Sequence, residues 1–265
     1  MQMVLTFVLW FFLIMLGVHV GYALIMASIF FFTASGGWNL VPFALEQMFN
    51  GVNSQTLLAV PFFVLAGNLM NGGGVTTRIF DFAASMIGHR KGGLAHVNVV
   101  ASLIFSGMSG SALADAGGLG QLEIKSMKDA GFDEGFAGGI TAASCIIGPL
   151  VPPSTPLIIY AVLANQSVEK LFMAGFLPGL LTTAALMVMC SILSHKRNYP
   201  SEPKRSWSYR ANSFKKSFWA LLTPVIILIG IFTGFFTPTE AAVVAALYTM
   251  LLGFFVYKEL TLDSF

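Results

Sequence analysis

Two stretches of this 265-residue sequence combine hydroxyl side chains, glycine and proline in apolar surroundings. The first is SGMSGSALADAGGLG, residues 106–120, and the second is GPLVPPSTP, residues 148–156. Serine hydroxyls and bent backbone carbonyls are hard oxygen donors, which suit an alkali cation better than zinc or copper. If the fold brings the two stretches together, they form an oxygen cage for such an ion.

The second stretch cannot continue as one helix. Pro152, Pro153 and Pro156 each remove a backbone donor and push the preceding residue out of the helical region, so we expect residues 151–155 to be unwound. Thr155 is then expected to cap a second half-helix with proline at its first position. Discontinuous helices of this kind are typical ion and substrate sites of secondary transporters. A kink that serves packing alone is the alternative.

The first stretch predicts a re-entrant helical hairpin. Residues 94–105 provide only about 18 Å of apolar helix, too little to cross a bilayer of about 30 Å. A Ser/Gly tip follows, and the return limb becomes polar at Gln121 and Glu123. Asp115 is the only carboxylate in the hairpin before Glu123. It either neutralises a cation or has a structural role as a cap or ion-pair partner.

Composition supports a membrane setting for both stretches. Hydrophobic residues make up 56% of the chain and charged residues 10%, whereas soluble domains carry about 25% charged residues. The net charge of +2 gives no indication of nucleic-acid binding. Cys145 and Cys190 lie in apolar segments and are expected to be buried thiols. The sequence therefore predicts an all-α polytopic membrane protein with one re-entrant helical hairpin and one broken transmembrane helix.

Charge and glycine patterns divide the rest of the chain. Residues 3–33 form either one long span or two short helices, and His19 within them is either a proton-relay group or a packed histidine.

Residues 195–216 carry seven Lys or Arg against Glu202 alone, which places that segment in the cytoplasm. The order Thr237-Pro238-Thr239-Glu240 predicts a capping box, so Glu240 is expected to be structural.

The two stretches, together with AVPFFVLAGNLMNGGGVTTRI and FTPTEAAVVAALY, resemble the large membrane subunit of tripartite ATP-independent periplasmic (TRAP) transporters over nearly the whole chain. The resemblance implies an elevator-type, sodium-driven importer of C4-dicarboxylates or sialic acid in the bacterial inner membrane. It also implies two protein partners, a small four-helix membrane subunit and a periplasmic substrate-binding protein.

The resemblance further implies a division into scaffold and transport domain. We expect scaffold helices in residues 1–72 and a lateral amphipathic arm helix in 73–91. The hairpin in 92–130 and the broken helix in 132–166 are expected to form the transport domain. The remaining segments are a transmembrane helix (167–194), the basic cytoplasmic loop (195–216) and transmembrane helices that lead into a second repeat (217–265).

Site residues follow from the same resemblance. The implied sodium ligands, mostly through backbone carbonyls, are Ser106, Ser109, Gly110, Gly148, Val151, Pro153 and Ser154. The implied substrate-binding residues are Ser111, Asp115 and Pro152.

The chain departs from the family in showing only the first of two inverted repeats. Because the substrate lies at the repeat interface in such transporters, one repeat supplies half of the site, and the remainder of the large subunit is an expected partner. Two other functions fit parts of the pattern. One is a sodium-coupled anion carrier that needs no binding protein. The other is an intramembrane hydrolase with Ser109 or Ser111 as nucleophile, which would require a base such as His96.

Overall fold

The computed structural model describes residues 1–261, and these residues contain helices and no β-strand. The all-α prediction is therefore confirmed for the described part of the chain. The chain divides into two compact units, Met1–Ser54 and a second unit that begins at Gln55. Both stretches singled out in the sequence lie in the second unit.

The first unit consists of three helices: α1 (Gln2–Met15), α2 (Val20–Gly36) and α3 (Val41–Val52). Residues 3–33 thus form two short helices rather than one span, because Gly17 adopts a left-handed φ of 80° and turns the chain. His19 caps α2, with its Nδ1 accepting a hydrogen bond from the Gly21 N–H at 3.4 Å. The amide of Gln2 donates to the Ala34 carbonyl at 2.8 Å, so α1 and α2 pack antiparallel.

The second unit contains eleven α-helices within the described residues. They are α4 (Ala59–Gly72), α5 (Val75–Ile87), α6 (Gly93–Ser109), α7 (Ala112–Gly117), α8 (Leu119–Asp129), α9 (Glu134–Ser144), α10 (Ile147–Leu150), α11 (Thr155–Leu163), α12 (Val168–Lys196), α13 (Trp207–Phe232) and α14 (Pro238–Leu251). A π-helical turn, Leu252–Val256, continues α14.

Three helices of the second unit are long and apolar enough to cross a membrane: α12, α13, and α14 with its π-helical extension. The segments Glu134–Leu150 and Thr155–Leu163 pass the same test as a pair and are bent by 42° at their break. The prolines therefore interrupt an apolar segment of spanning length where the sequence predicted a break.

Helix α13 begins inside the segment predicted as the basic loop, residues 195–216. Only residues 197–206 lie outside a helix, because the Ser206 hydroxyl accepts a hydrogen bond from the Tyr209 N–H at 3.2 Å and starts α13 at Trp207. A helix of 26 residues is about 39 Å long, which exceeds the ~30 Å hydrocarbon core. The excess of about 9 Å corresponds to about six residues, so the first turns, with Arg210, extend beyond the core as helix.

The other local predictions outside the site agree with the structure. Residues 75–87 form the predicted helix, α5, whose Arg78 pairs with Glu259 at 2.7 Å. The capping box is present: the Glu240 carboxylate accepts from the Thr237 N–H at 2.8 Å, and the Glu240 N–H donates to the Thr237 hydroxyl at 3.3 Å. Glu240 thus has the structural role that its spacing indicated.

The contact between α4 and α14 is lined by small residues of α14. Helix α14 packs along α4 and buries Ala241, Ala242, Ala245 and Ala246. Alanine at these positions allows the two helix backbones to approach closely. Helix α4 is thereby held in place beneath the hairpin formed by α6, α7 and α8.

We predict that Ala245→Leu destabilises the full-length large subunit that carries this segment. Ala245 is 1% exposed, so a larger side chain overpacks the core and lowers the free energy of unfolding by about 1–3 kcal/mol. Leu247, on the same helix, is 50% exposed, and Leu247→Ala is the control. Thermal unfolding in detergent, followed by loss of the monodisperse species, measures both. Equal melting temperatures for the two variants would contradict this packing.

Candidate functional site

The break between the two half-helices extends over residues 151–154. Helix α10 ends at Leu150, and Val151 is extended, with φ −83° and ψ 128°. The cap of α11 is Ser154 rather than Thr155, so the predicted cap was wrong by one residue. The Ser154 hydroxyl accepts from the Leu157 N–H at 3.3 Å and donates to the Pro149 carbonyl at 2.6 Å. One side chain thus connects both sides of the break.

The hairpin tip is shorter than the sequence suggested. Helix α6 continues to Ser109, so the non-helical tip consists of Gly110 and Ser111 alone. Ser106 lies within α6, where its hydroxyl donates to the Ser102 carbonyl one turn earlier, at 2.6 Å. Gly110 then ends the helix in the left-handed region, with φ 58°.

Behind the tip, the return limb rests on α4. The Ser111 hydroxyl accepts from the Ala114 N–H at 3.3 Å and caps α7. The Asn71 side chain of α4 donates to the Ala114 carbonyl at 3.3 Å. A Cβ on Gly67, also in α4, would lie 3.2 Å from the Ser109 Cβ. The tip is therefore supported by close backbone packing.

The tip and the break contact each other directly. Both the N–H and the hydroxyl of Thr155 donate to the Gly110 carbonyl, each at 3.1 Å. A Cβ on Gly110 would overlap the Pro153 carbonyl oxygen, and a Cβ on Gly148 would lie 3.3 Å from the Ala112 nitrogen. The structure thus brings together the two stretches that the sequence singled out. Sequence reasoning missed Thr155 as the cross-link, because nothing local indicates a partner 45 residues away.

The predicted sodium residues lie at this contact. Three lie at the tip or in the last turn of α6 (Ser106, Ser109 and Gly110), Gly148 lies in α10, and three lie in the break (Val151, Pro153 and Ser154). The side chains of Ser106, Ser109 and Ser154 are fully buried. The hydroxyls of Ser106 and Ser154 donate their protons to carbonyls. The Ser154 oxygen also accepts from the Leu157 N–H, so it keeps one free lone pair, whereas the Ser106 oxygen keeps two. The Gly110 carbonyl already accepts two hydrogen bonds, so it is the least available of the predicted donors.

Ser109 is the residue at this contact whose side chain most clearly indicates a bound ion. Its hydroxyl is buried and has no hydrogen-bond partner among the described residues. A buried hydroxyl without a partner costs about 1–3 kcal/mol, and a bound ion removes that cost. Serine oxygens and backbone carbonyls are the donors that hard alkali cations prefer. The residues at the tip and the break therefore fit a small alkali cation.

The predicted substrate residues do not share one surface. Ser111 is half-buried at the tip, and Pro152 is buried in the break. The Asp115 side chain is fully buried and lies against Ser102 and Cys145. Ser111 and Pro152 thus remain near the contact of the two stretches, while the Asp115 carboxylate lies behind the tip.

His96, the base that the hydrolase alternative requires, does not contact the tip serines. The ring of His96 contacts the Ser191 hydroxyl at 2.9 Å through Nε2 and the Gly92 carbonyl at 3.1 Å through Nδ1. Both nitrogens are thus engaged at the base of α6, far along the helix from Ser109. The hydrolase alternative lacks the nucleophile–base contact that it requires.

Comparisons with known proteins agree with the transporter interpretation. Residues 7–265 match the family model described as "Tripartite ATP-independent periplasmic transporter, DctM component". The chain is 57% identical over 260 residues to the sialic acid TRAP transporter permease protein SiaT of Haemophilus influenzae, covering 98% of this chain and 42% of that protein. It is 58% identical over 258 residues to the large permease protein SiaM of Vibrio cholerae, covering 97% of this chain and 60% of that protein.

A more distant relative is the C4-dicarboxylate TRAP transporter large permease protein DctM of Pseudomonas aeruginosa. It is 41% identical over 218 residues, which cover 82% of this chain and 51% of that protein. The chain thus spans about half the length of the curated relatives it matches. The relatives are named as permeases rather than enzymes, in agreement with the apolar spanning helices. This chain belongs to the DctM family of TRAP transporter components, which are integral membrane proteins.

Proposed function

We propose that this chain forms one half of a large permease subunit that couples sodium flow to uptake of an organic acid anion. The observation that carries the proposal is the contact between the hairpin tip and the break in the second helix. At this contact, buried serine oxygens converge with the unwound backbone around Pro153, and the Ser109 hydroxyl lacks a partner. An ion here would be held by uncharged oxygen donors from two separate segments.

Sodium is the proposed coupling ion. The donor set consists of Ser106, Ser109 and Ser154 side chains together with carbonyls from residues 148–153, all neutral oxygens. Sites of this composition suit alkali cations, whereas divalent ions usually draw on carboxylates. Gly110 contributes through its conformation and its contact with Pro153 rather than through its carbonyl.

The proposed substrate is an organic acid of the sialic acid class. The two relatives named for sialic acid share 57% and 58% identity with this chain, against 41% for the relative named for C4-dicarboxylates. Helix α11 begins at the break, and helix N-termini favour bound carboxylates. Ser111, half-buried beside this helix start, retains a hydroxyl proton that it can donate to a carboxylate.

The remaining components of the proposal come from the family. The hairpin is re-entrant, and the hairpin and broken helix move as an elevator-type transport domain in the bacterial inner membrane. The second half of the substrate site is supplied by the remainder of the large subunit. A small four-helix membrane subunit and a periplasmic binding protein are the other partners. Uptake that proceeds equally well without the binding protein would instead support an independent anion carrier.

We predict that Ser109→Ala weakens sodium coupling. The change removes one oxygen ligand and little volume, so we expect the sodium concentration for half-maximal uptake to rise about tenfold, equivalent to about 1.4 kcal/mol. The measurement is uptake of radiolabelled sialic acid by proteoliposomes that contain the full-length large subunit, its membrane partner and the binding protein. Ser208→Ala, at an exposed serine of α13, is the matched control.

Two outcomes would count against the sodium site. One is uptake that is unchanged when potassium replaces sodium in the parent protein. The other is an equal sodium dependence for Ser109→Ala and Ser208→Ala. Either result would leave the break as a packing feature and the coupling ion unassigned.

We also predict that Gly110→Ala abolishes uptake with the protein still inserted. The new Cβ would overlap the Pro153 carbonyl, and alanine is disfavoured at a φ of 58° by about 1–2 kcal/mol. The tip must therefore move away from the break. Gly138→Ala is the control, because a Cβ at that glycine of α9 meets no atom within 4 Å. Uptake that survives Gly110→Ala as well as Gly138→Ala would contradict the seating of the tip in the break.

A further inference from the structure

Two carboxylates lie buried behind the hairpin tip and have no part in the proposed sodium site. Asp115 and Glu123 are both fully buried, and within the described residues no hydrogen bond of ordinary geometry reaches their four carboxylate oxygens. Of these residues, only the Ser102 hydroxyl and the Cys145 thiol lie against Asp115. The two groups lie close enough to interact electrostatically. Burying an ionised carboxylate is costly, so the negative charge of this pair requires compensation.

The pair lies where the hairpin meets the first half of the broken helix. Asp115 belongs to α7, one turn after Ser111, and Glu123 belongs to α8. Ser102 of α6 and Cys145, which ends α9, lie against Asp115. Helix α8 packs on both α6 and α9, so the carboxylates are enclosed between the two elements of the proposed site.

A chain of side-chain hydrogen bonds crosses the same interface. The Ser102 hydroxyl donates to the Ser144 hydroxyl at 3.1 Å, and Ser144 donates to the Asn98 side-chain oxygen at 2.7 Å. The Asn98 amide then donates to the Thr141 hydroxyl at 2.7 Å. Because an amide oxygen can only accept, the proton of Ser144 is used there, and Ser102 must be the donor to Ser144. In these three hydrogen bonds the donated protons of Ser102, Ser144 and Asn98 therefore all point away from Asp115.

The direction of these hydrogen bonds leaves two acceptors, the Ser102 hydroxyl and the Asp115 carboxylate, facing each other. With its proton given to Ser144, the Ser102 hydroxyl presents lone pairs to Asp115, whose ionised form also offers only lone pairs. A proton on the Asp115 carboxyl group removes this conflict, because Asp115 can then donate to Ser102 as the first donor in the series of hydrogen bonds. The Cys145 sulfur beside it is a poor ligand for a hard alkali ion, which favours a proton over sodium.

No positively charged side chain compensates the pair. The ionisable groups that act on Asp115, Glu123 and Cys145 are one another, and no Lys, Arg or His from the elements packed around them in residues 1–261 contributes. The hydroxyl protons of Ser102 and Ser144 are already used in hydrogen bonds, which leaves the weakly donating Cys145 thiol beside Asp115. A bound proton is the remaining source of positive charge that needs no cavity.

We propose that Asp115 and Glu123 form a proton-binding site that stays occupied at neutral pH. The bound proton removes one of the two negative charges at the interface between α6, α8 and α9 and lets the hairpin and the first half of the broken helix pack together. The site is separate from the proposed sodium site, so its test does not depend on transport.

The test is infrared spectroscopy of the full-length large subunit with its membrane partner, in sodium-free buffer at neutral pH. We expect a carbonyl stretching band of a protonated, buried carboxylic acid, with a small shift in deuterium oxide. The band is expected to shift or weaken in Asp115→Asn and in Glu123→Gln, each of which removes one carboxyl group at constant size, and to disappear when the two changes are combined. Asp129→Asn, at an exposed carboxylate at the end of α8, is the control and should retain the band.

Three results would overturn the proposal. The first would be a parent protein without the band. The second would be a band that persists unchanged in both Asp115→Asn and Glu123→Gln. The third would be loss of the band when sodium is added to the parent. The last result would identify a cation site rather than a retained proton. If one variant fails to insert, the other variant and the sodium addition to the parent still decide the question.

Discussion

The structure around the site depends on one requirement: backbone polar groups within a membrane must find partners inside the protein. A helix interrupted at residues 151–154 exposes donors where α11 begins, and a helix that stops at Ser109 exposes carbonyls at its end. Thr155 and Gly110 satisfy each other through two hydrogen bonds. Each interruption is therefore stabilised by the other, which explains why the hairpin and the broken helix occur as a pair.

That mutual capping is possible only where backbones come very close. Gly110 lies against the Pro153 carbonyl, and Gly148 lies against the chain that enters α7. On the other side, Gly67 of α4 leaves room for Ser109. A side chain at any of these glycines would separate the two elements and remove the partners of their free backbone groups. Close packing by small residues thus allows the tip and the break to form hydrogen bonds with each other, in addition to fitting their surfaces together.

The sequence was informative where a residue type acts on its own backbone. Three prolines predicted the break, and the Thr237–Glu240 spacing predicted a cap, because both effects are local. Serine misled twice. Ser106 lies within the helix, where its hydroxyl bonds to the preceding turn, and Ser154 takes the capping role expected of Thr155. The contact of Thr155 with Gly110 and the burial of Glu123 depend on distant partners, so a single sequence could not reveal them.

The separation of charge in this half of the protein has a functional consequence. The proposed cage at the tip uses neutral oxygens, so a bound sodium ion would keep its full positive charge next to Ser111 and the start of α11. The two carboxylates that could cancel that charge lie behind the tip, and a bound proton would reduce their negative field. An organic anion would then bind more tightly once sodium is present, and sodium more tightly once the anion is present, because the coupling free energy is reciprocal. A carboxylate in the cage would weaken this coupling, which gives a physical reason for serines at the tip.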